Sequence, residues 1–72
     1  MSDEYQRIFG NRVRELRKAC GLSQLQLSDK VGINRSYMGF LERGERNPSL
    51  EVIAKIAKAL NVSPDELLRK KS

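Results

Sequence analysis

The sequence predicts an all-α domain of five short helices built around a helix-turn-helix. Three observations carry that expectation. Apolar residues recur three and four positions apart through most of the chain, the spacing of helices with one buried face. Ser23, Asn34, Ser49 and Ser63 each precede such a segment, where a side-chain oxygen can cap the orphan amides of a first turn. Between Gln24 and Arg43 two of these helices follow one another with only a tight turn at Gly32 between them.

The elements follow in chain order. Residues 4 to 20 read as the first helix, with Phe9, Val13, Leu16 and Cys20 as one apolar stripe and Ile8 beside it. Arg12, Arg14, Glu15 and Lys18 occupy its other sides, and Gly21 ends it. Cys20 reads as a small core residue, since no catalytic partner for a thiol is recognisable. The second helix starts after Ser23 and buries Leu27 and Val31. Leu25 falls outside that phase and is expected at the surface. Asn34 caps the third helix, whose inward residues Met38 and Leu41 leave Arg35, Ser36, Gly39, Phe40 and Arg43 on the outer side. Ser49 caps the fourth helix, with Leu50, Ile53, Ala57 and Leu60 as the core stripe and Asn61 closing it. Val52 and Ile56 form a second apolar edge, wider than so small a bundle requires. Ser63-Pro64-Asp65-Glu66 starts a fifth helix with a cap, a proline at the first helical position and first-turn acids, and Leu67 and Leu68 give it an apolar end. No linker, repeat or low-complexity segment interrupts residues 1–72, so one domain is expected, with the central motif at about 24–43.

Composition narrows the class of function. Seventy-two residues allow one small core, with marginal stability unless a partner adds burial. No apolar run approaches the roughly 18 residues of a membrane span, and the polar, acidic start MSDEYQ does not read as a secretory signal. A single cysteine permits no internal disulfide and fits a reducing, cytoplasmic setting. With no histidine beside that one cysteine, the usual metal clusters and nucleophile–base pairs are missing, so neither an enzyme, a metal site nor a cofactor is expected. The net charge of +5 suits a polyanion partner. The excess is spread, however, with nine basic and six acidic residues through Arg46 and five and three beyond. Arg69-Lys70-Lys71 reads as a solvated tail rather than a phosphate-binding arm.

The central motif says more than the charge. In a helix-turn-helix the residue under the crossing helix must be small, which Ser28 satisfies, and the turn residue must accept positive φ, which Gly32 satisfies. Met38 and Leu41 supply the apolar positions of the second helix, the one that enters the major groove of duplex DNA in such units. Its outer face carries Arg and Ser rather than the Glu/Lys mixture of a solvated face.

These residues also carry a resemblance. Leu22-Ser23-Gln24 through Ser28, Val31-Gly32, Leu41-Glu42-Arg43-Gly44 and Asn47-Pro48-Ser49-Leu50 resemble the lambda-repressor/Cro-like (Xre) helix-turn-helix family over roughly residues 8 to 68. Within it, Arg35-Ser36-Tyr37 with Glu42-Arg43-Gly44-Glu45-Arg46-Asn47 is similar to the controller proteins of restriction–modification systems. Ser28 departs from the alanine usual at its position, a small change that should fit. The resemblance implies a lambda-repressor-like DNA-binding domain and a structural pair between Arg17, otherwise an exposed arginine off the main stripe, and Glu42. It also implies that Gln24, at the anion-favouring start of the second helix, contacts a phosphate.

The resulting expectation is a homodimeric transcription regulator that binds a pseudo-palindromic duplex operator, upstream of its own and neighbouring genes if it is a controller. Base readout is expected from Arg35, Ser36, Gly39 and Phe40, with the Arg35 fork suited to guanine. For Gly39 both close approach of DNA and simple tolerance stand as readings. For Phe40 they are a thymine methyl or packing toward Tyr37 and Arg43. DNA-backbone contacts are expected from Gln24, Asn34, Tyr37, Arg43, Arg46 and Asn47, and a dimer interface from Val52, Ile56, Val62 and Leu67. Expected partners are double-stranded DNA and a second copy, with RNA polymerase as a further candidate and no membrane. The competing classes are another small Xre-type repressor, an antitoxin-like protein-interaction module using Val52, Ile56, Leu67 and Leu68, and a single-stranded RNA binder. The last lacks a platform of stacking aromatics.

Overall fold

Four α-helices and a closing 3₁₀ turn make up the computed structural model, which describes residues 3–69: α1 (Asp3–Ala19), α2 (Gln24–Val31), α3 (Arg35–Glu42), α4 (Leu50–Leu60) and the turn Pro64–Leu68. Lys70 and Lys71 of the expected basic tail lie outside the described residues. The all-α class is as expected, but the fifth helix is a 3₁₀ turn, not an α-helix. Its Glu66 N–H donates to the Ser63 carbonyl, an i→i+3 bond. Five residues are too few to offset the nucleation of an α-helix, and the tighter turn is the usual form of so short a segment. Ser63 and then Arg69 hydrogen-bond the Asp65 carboxyl and hold it below its usual range.

Each α-helix ends in the same device. The chain passes through a left-handed residue (Gly21, Gly32, Gly44 or Asn61), and the following amide reaches back five residues to a carbonyl of the last turn. Ser23, Asn34 and Ser49 cap α2, α3 and α4 through their side chains, and Ser23 forms a full capping box with Gln26. These stops explain one correction. Cys20 is exposed, because Gly21 has already turned the chain out of the helix and the apolar stripe runs out at Leu16.

The core gathers Phe9, Val13, Leu27, Val31, Met38, Leu41, Ile53, Ile56, Ala57, Leu60 and Leu67. α1 packs on α3, on α4 and on the closing turn, while α2 bridges α3 and α4. Two more expectations fall here. Leu50, expected in the core, is 85% exposed, because Ile56 completes the buried stripe of α4 and Leu50 overhangs its first turn. Ile56 and Leu67, expected at a dimer interface, are fully buried within the single chain. The closing turn folds back over α1 and α4, with Arg12 Nε donating to the Glu66 carbonyl at 3.3 Å, and seals them in. Leu25 is exposed, as its phase requires.

One contact had no signal in the periodicity. Gly10 is buried, and a Cβ built there would stand 2.4 Å from the Leu41 carbonyl oxygen and 2.6 Å from that of Glu42. α1 therefore docks directly on the backbone at the end of α3. Gly39, also buried and helical, faces side-chain ends, the Arg43 guanidinium at 3.1 Å and Gln24 Oε1 at 3.7 Å. Gly10→Ala should lower unfolding free energy by about 2–3 kcal/mol, since rigid carbonyls cannot give way. Gly39→Ala should be neutral or stabilise by up to about 1 kcal/mol through helix propensity. Urea denaturation of both variants checks the contrast in sign.

Candidate nucleic-acid interface

The two helices of the motif are held by a polar lock rather than by apolar packing alone. Arg17 of α1, only 8% exposed, donates Nε to Glu42 Oε2 at 2.7 Å and Nη2 to Oε1 at 3.0 Å. Its remaining Nη1 donates to the Leu22 carbonyl at 2.8 Å. Glu42, at the last position of α3, is 2% exposed. Gln24 Nε2 donates to the same carboxylate at 3.1 Å, and Arg14 Nε approaches it at 3.8 Å from the solvent side. Among the described residues no buried side-chain N or O lacks a partner. Helices α1, α2 and α3 thus meet at one carboxylate.

Ser28, buried beneath the crossing, donates its hydroxyl to the Leu25 carbonyl at 2.8 Å, which removes the one polar cost of its replacing a methyl group. Asn34 Oδ1 accepts from the Tyr37 amide at 2.9 Å and fixes the start of α3. At that start Arg35 and Ser36 are exposed, while Tyr37 is half-buried and packs on the core.

A shallow cleft of about 220 Å³ runs along the outer side of α3, lined by Gln24, Arg35, Ser36, Gly39, Phe40 and Arg43. The structure thus brings together all four residues expected to read bases, with Gln24 and Arg43. Asn34, Tyr37 and Asn47 do not line this cleft, although Asn34 and Asn47 are exposed. Gly39 does not form an open surface: the Arg43 guanidinium lies over it and Gln24 Oε1 stands nearby. Gln24, expected on a phosphate, has its amide engaged by Glu42. Phe40 is half-buried, with the guanidinium of Arg43 at 5.1 Å and that of Arg46 at 5.5 Å from its ring centre. Glu45, outside the cleft lining, accepts from Arg43 Nε at 3.1 Å, a partner the sequence pattern did not reveal. Val52 and Val62 are half-exposed and do not line this cleft, and Leu50 is exposed at the start of α4. Among the described residues no three acidic or sulfur side chains cluster as metal ligands, and no helix is long and apolar enough to cross a membrane.

Known proteins with this arrangement are closely similar. A family described as helix-turn-helix matches residues 13–67. The control protein C.BamHI of Bacillus amyloliquefaciens is 41% identical over 69 residues, 94% of this chain and 85% of its own length. The crystal structure of the restriction-modification controller protein C.AhdI from Aeromonas hydrophila superposes with a TM-score of 0.83 at 53% identity, covering 86% of this chain and 94% of that one. The biofilm master regulator SinR, solved in complex with DNA, superposes with a TM-score of 0.81 at 35% identity, covering 85% and 98%.

The polar lock makes a specific energetic prediction. Glu42→Ala should cost about 3–5 kcal/mol, because it strands a buried guanidinium without its counter-charge. Replacing both partners, Arg17→Met with Glu42→Leu, should recover most of that loss, since no lone charge remains. Chemical denaturation of the single and double variants is the measurement. A double variant no more stable than Glu42→Ala would mean that the pair itself supplies net stability.

Proposed function

Since the chain belongs to the helix-turn-helix family matched above, we propose that it is a transcription regulator that binds duplex DNA sequence-specifically as a homodimer, in the role of a restriction–modification controller. The observation that carries this is the placement of α3. Its inner face is locked to α1 and α2 through Glu42, while Arg35 and Ser36 stand exposed at its N-terminal end. A helix held in that way presents the end that meets base edges in a major groove. Arg35 supplies a planar fork for guanine O6 and N7, and Ser36 a hydroxyl for a base or a phosphate. Arg46, Asn34 and Asn47, exposed beyond or beside the cleft, act on phosphates, which position the helix without reading sequence. Tyr37 packs partly on the core, and as an amphipathic side chain it offers its hydroxyl to a phosphate.

The dimer buries the apolar surface that the core leaves out. Leu50 is the most exposed large apolar side chain, and Val52, Val62 and Leu68 are half-exposed, so these replace Ile56 and Leu67 as interface candidates. Two-fold symmetry then sets the recognition helices about 34 Å apart, one turn of DNA, which requires a pseudo-palindromic site. Sedimentation that shows only monomer at micromolar concentration, with and without duplex, would remove this part of the proposal.

Selection of bound duplexes from a random pool tests the function directly and delivers the site. Enrichment of a two-fold symmetric sequence is the expected result, and no enrichment would leave a protein-interaction module as the better reading. With about six phosphates neutralised per dimer, log K against log salt should fall with a slope near −5. Arg35→Ala should cost roughly 1–3 kcal/mol on the selected duplex and relax the preference at one base pair per half-site. Arg46→Ala should weaken selected and random duplex alike and flatten the slope by about one unit. Titration of both variants against both duplexes separates the two roles.

A further inference from the structure

The geometry points to Arg43 as a second base reader, a guanidinium fork offered to guanine from the middle of α3, with Gly39, Phe40 and Glu45 as the residues that position it. This inference rests on the DNA-binding reading and reassigns a residue that the sequence pattern gave to the phosphate backbone. Arg43 sits at the C-terminal cap of α3, but helix side chains lean toward the N-terminus, so its guanidinium returns over the preceding turn. One turn back is Gly39. A Cβ there would lie 3.1 Å from Arg43 Nη1 and 3.9 Å from Cζ, so a larger side chain would stand where the fork now lies.

The fork is held on other sides as well. Its Cζ lies over the Phe40 ring, 5.1 Å from the centroid, and its Nε donates to Glu45 Oε1 at 3.1 Å. Gln24 Oε1, turned outward because the amide nitrogen is engaged by Glu42, stands 3.7 Å from the same Cβ position. With Nε donating to Glu45, the two Nη groups of this half-exposed side chain are the donors left for guanine O6 and N7.

A phosphate clamp gains little from such immobilisation, because a phosphate accepts a mobile point charge from many directions. Base readout gains directly, since each rotor already fixed in the free protein is entropy not lost on binding. The contrast with Arg46 is internal to the molecule. Both arginines approach Phe40, but only Arg43 lines the cleft with Arg35 and Ser36.

The test uses the whole chain and a duplex enriched from a random pool by the wild-type protein, beside its single-pair variants and a random duplex. Arg43→Lys keeps the charge and loses the fork. It should lose roughly tenfold or more in affinity for the enriched duplex, nearly as much as Arg43→Ala. That loss should vanish on a duplex in which one G·C pair per half-site has been replaced, and binding of random duplex should change by less than about threefold. Glu45→Gln should raise affinity for random duplex yet narrow the enriched-to-random ratio, and in the Arg43→Ala background the ratio should no longer respond. Arg43→Lys that binds the enriched duplex like wild type, or that loses affinity equally on every duplex, overturns the inference and returns Arg43 to the backbone. Failure of any duplex to enrich would overturn the DNA-binding reading itself, and this inference with it.

Discussion

The buried ion pair between Arg17 and Glu42 is the constraint on which the rest of the arrangement depends. α3 is eight residues long, far too short to persist as an isolated helix, so its orientation must come from tertiary contacts. Apolar contacts through Met38 and Leu41 bury one side of it but leave rotation about its own axis soft. A carboxylate at its last position, met by a two-pronged guanidinium from α1 and an amide from α2, has one good geometry. Taking both charges out of water costs roughly what their attraction returns, so the pair contributes angular definition more than net stability. That definition decides which residues of α3 face outward.

The outward face then divides by how tightly each arginine is held. Arg35 is exposed at the helix start, beside a cap that fixes the backbone but not the side chain. Arg43 is framed by glycine, ring and carboxylate. Arg46 shares the ring but springs from beyond the left-handed turn at Gly44. Phe40 is the hinge between these environments: half-buried, it serves neither the core nor a bare surface, and carries two cations on its ring. Weak individually at such exposure, these contacts order side chains more than they stabilise the fold.

Much of this was legible in the sequence. Helix limits followed from local chemistry, because caps and left-handed stops are set by residues within a turn of the boundary: Ser23, Asn34, Ser49, Gly32 and Asn61 all act where their chemistry places them. Burial was legible only where a stripe sits at the centre of an element. Cys20 and Leu50 keep perfect helical phase but lie at helix ends, where phase no longer decides what stands opposite. Ile56 and Leu67 are buried by tertiary packing, because the closing turn folds back on α1 and α4, and periodicity does not show where a turn docks. Glu45 and Gly10 carry no periodic signal at all. One acts across a turn and the other through the absence of atoms, and only coordinates show what lies across the gap.

The Gly10 contact has a consequence for how such a molecule can change over generations. α1 rests on the carbonyl oxygens of Leu41 and Glu42, groups that every amino acid possesses, rather than on side chains of the outer face. Docking of the helix is therefore indifferent to what positions 35, 36 and 40 carry. If positions 35, 36 and 40 read bases as proposed, substitutions there alter the address while the frame stays intact. On that proposal, drift can retarget the protein in single steps, because the docking of α1 does not depend on those side chains.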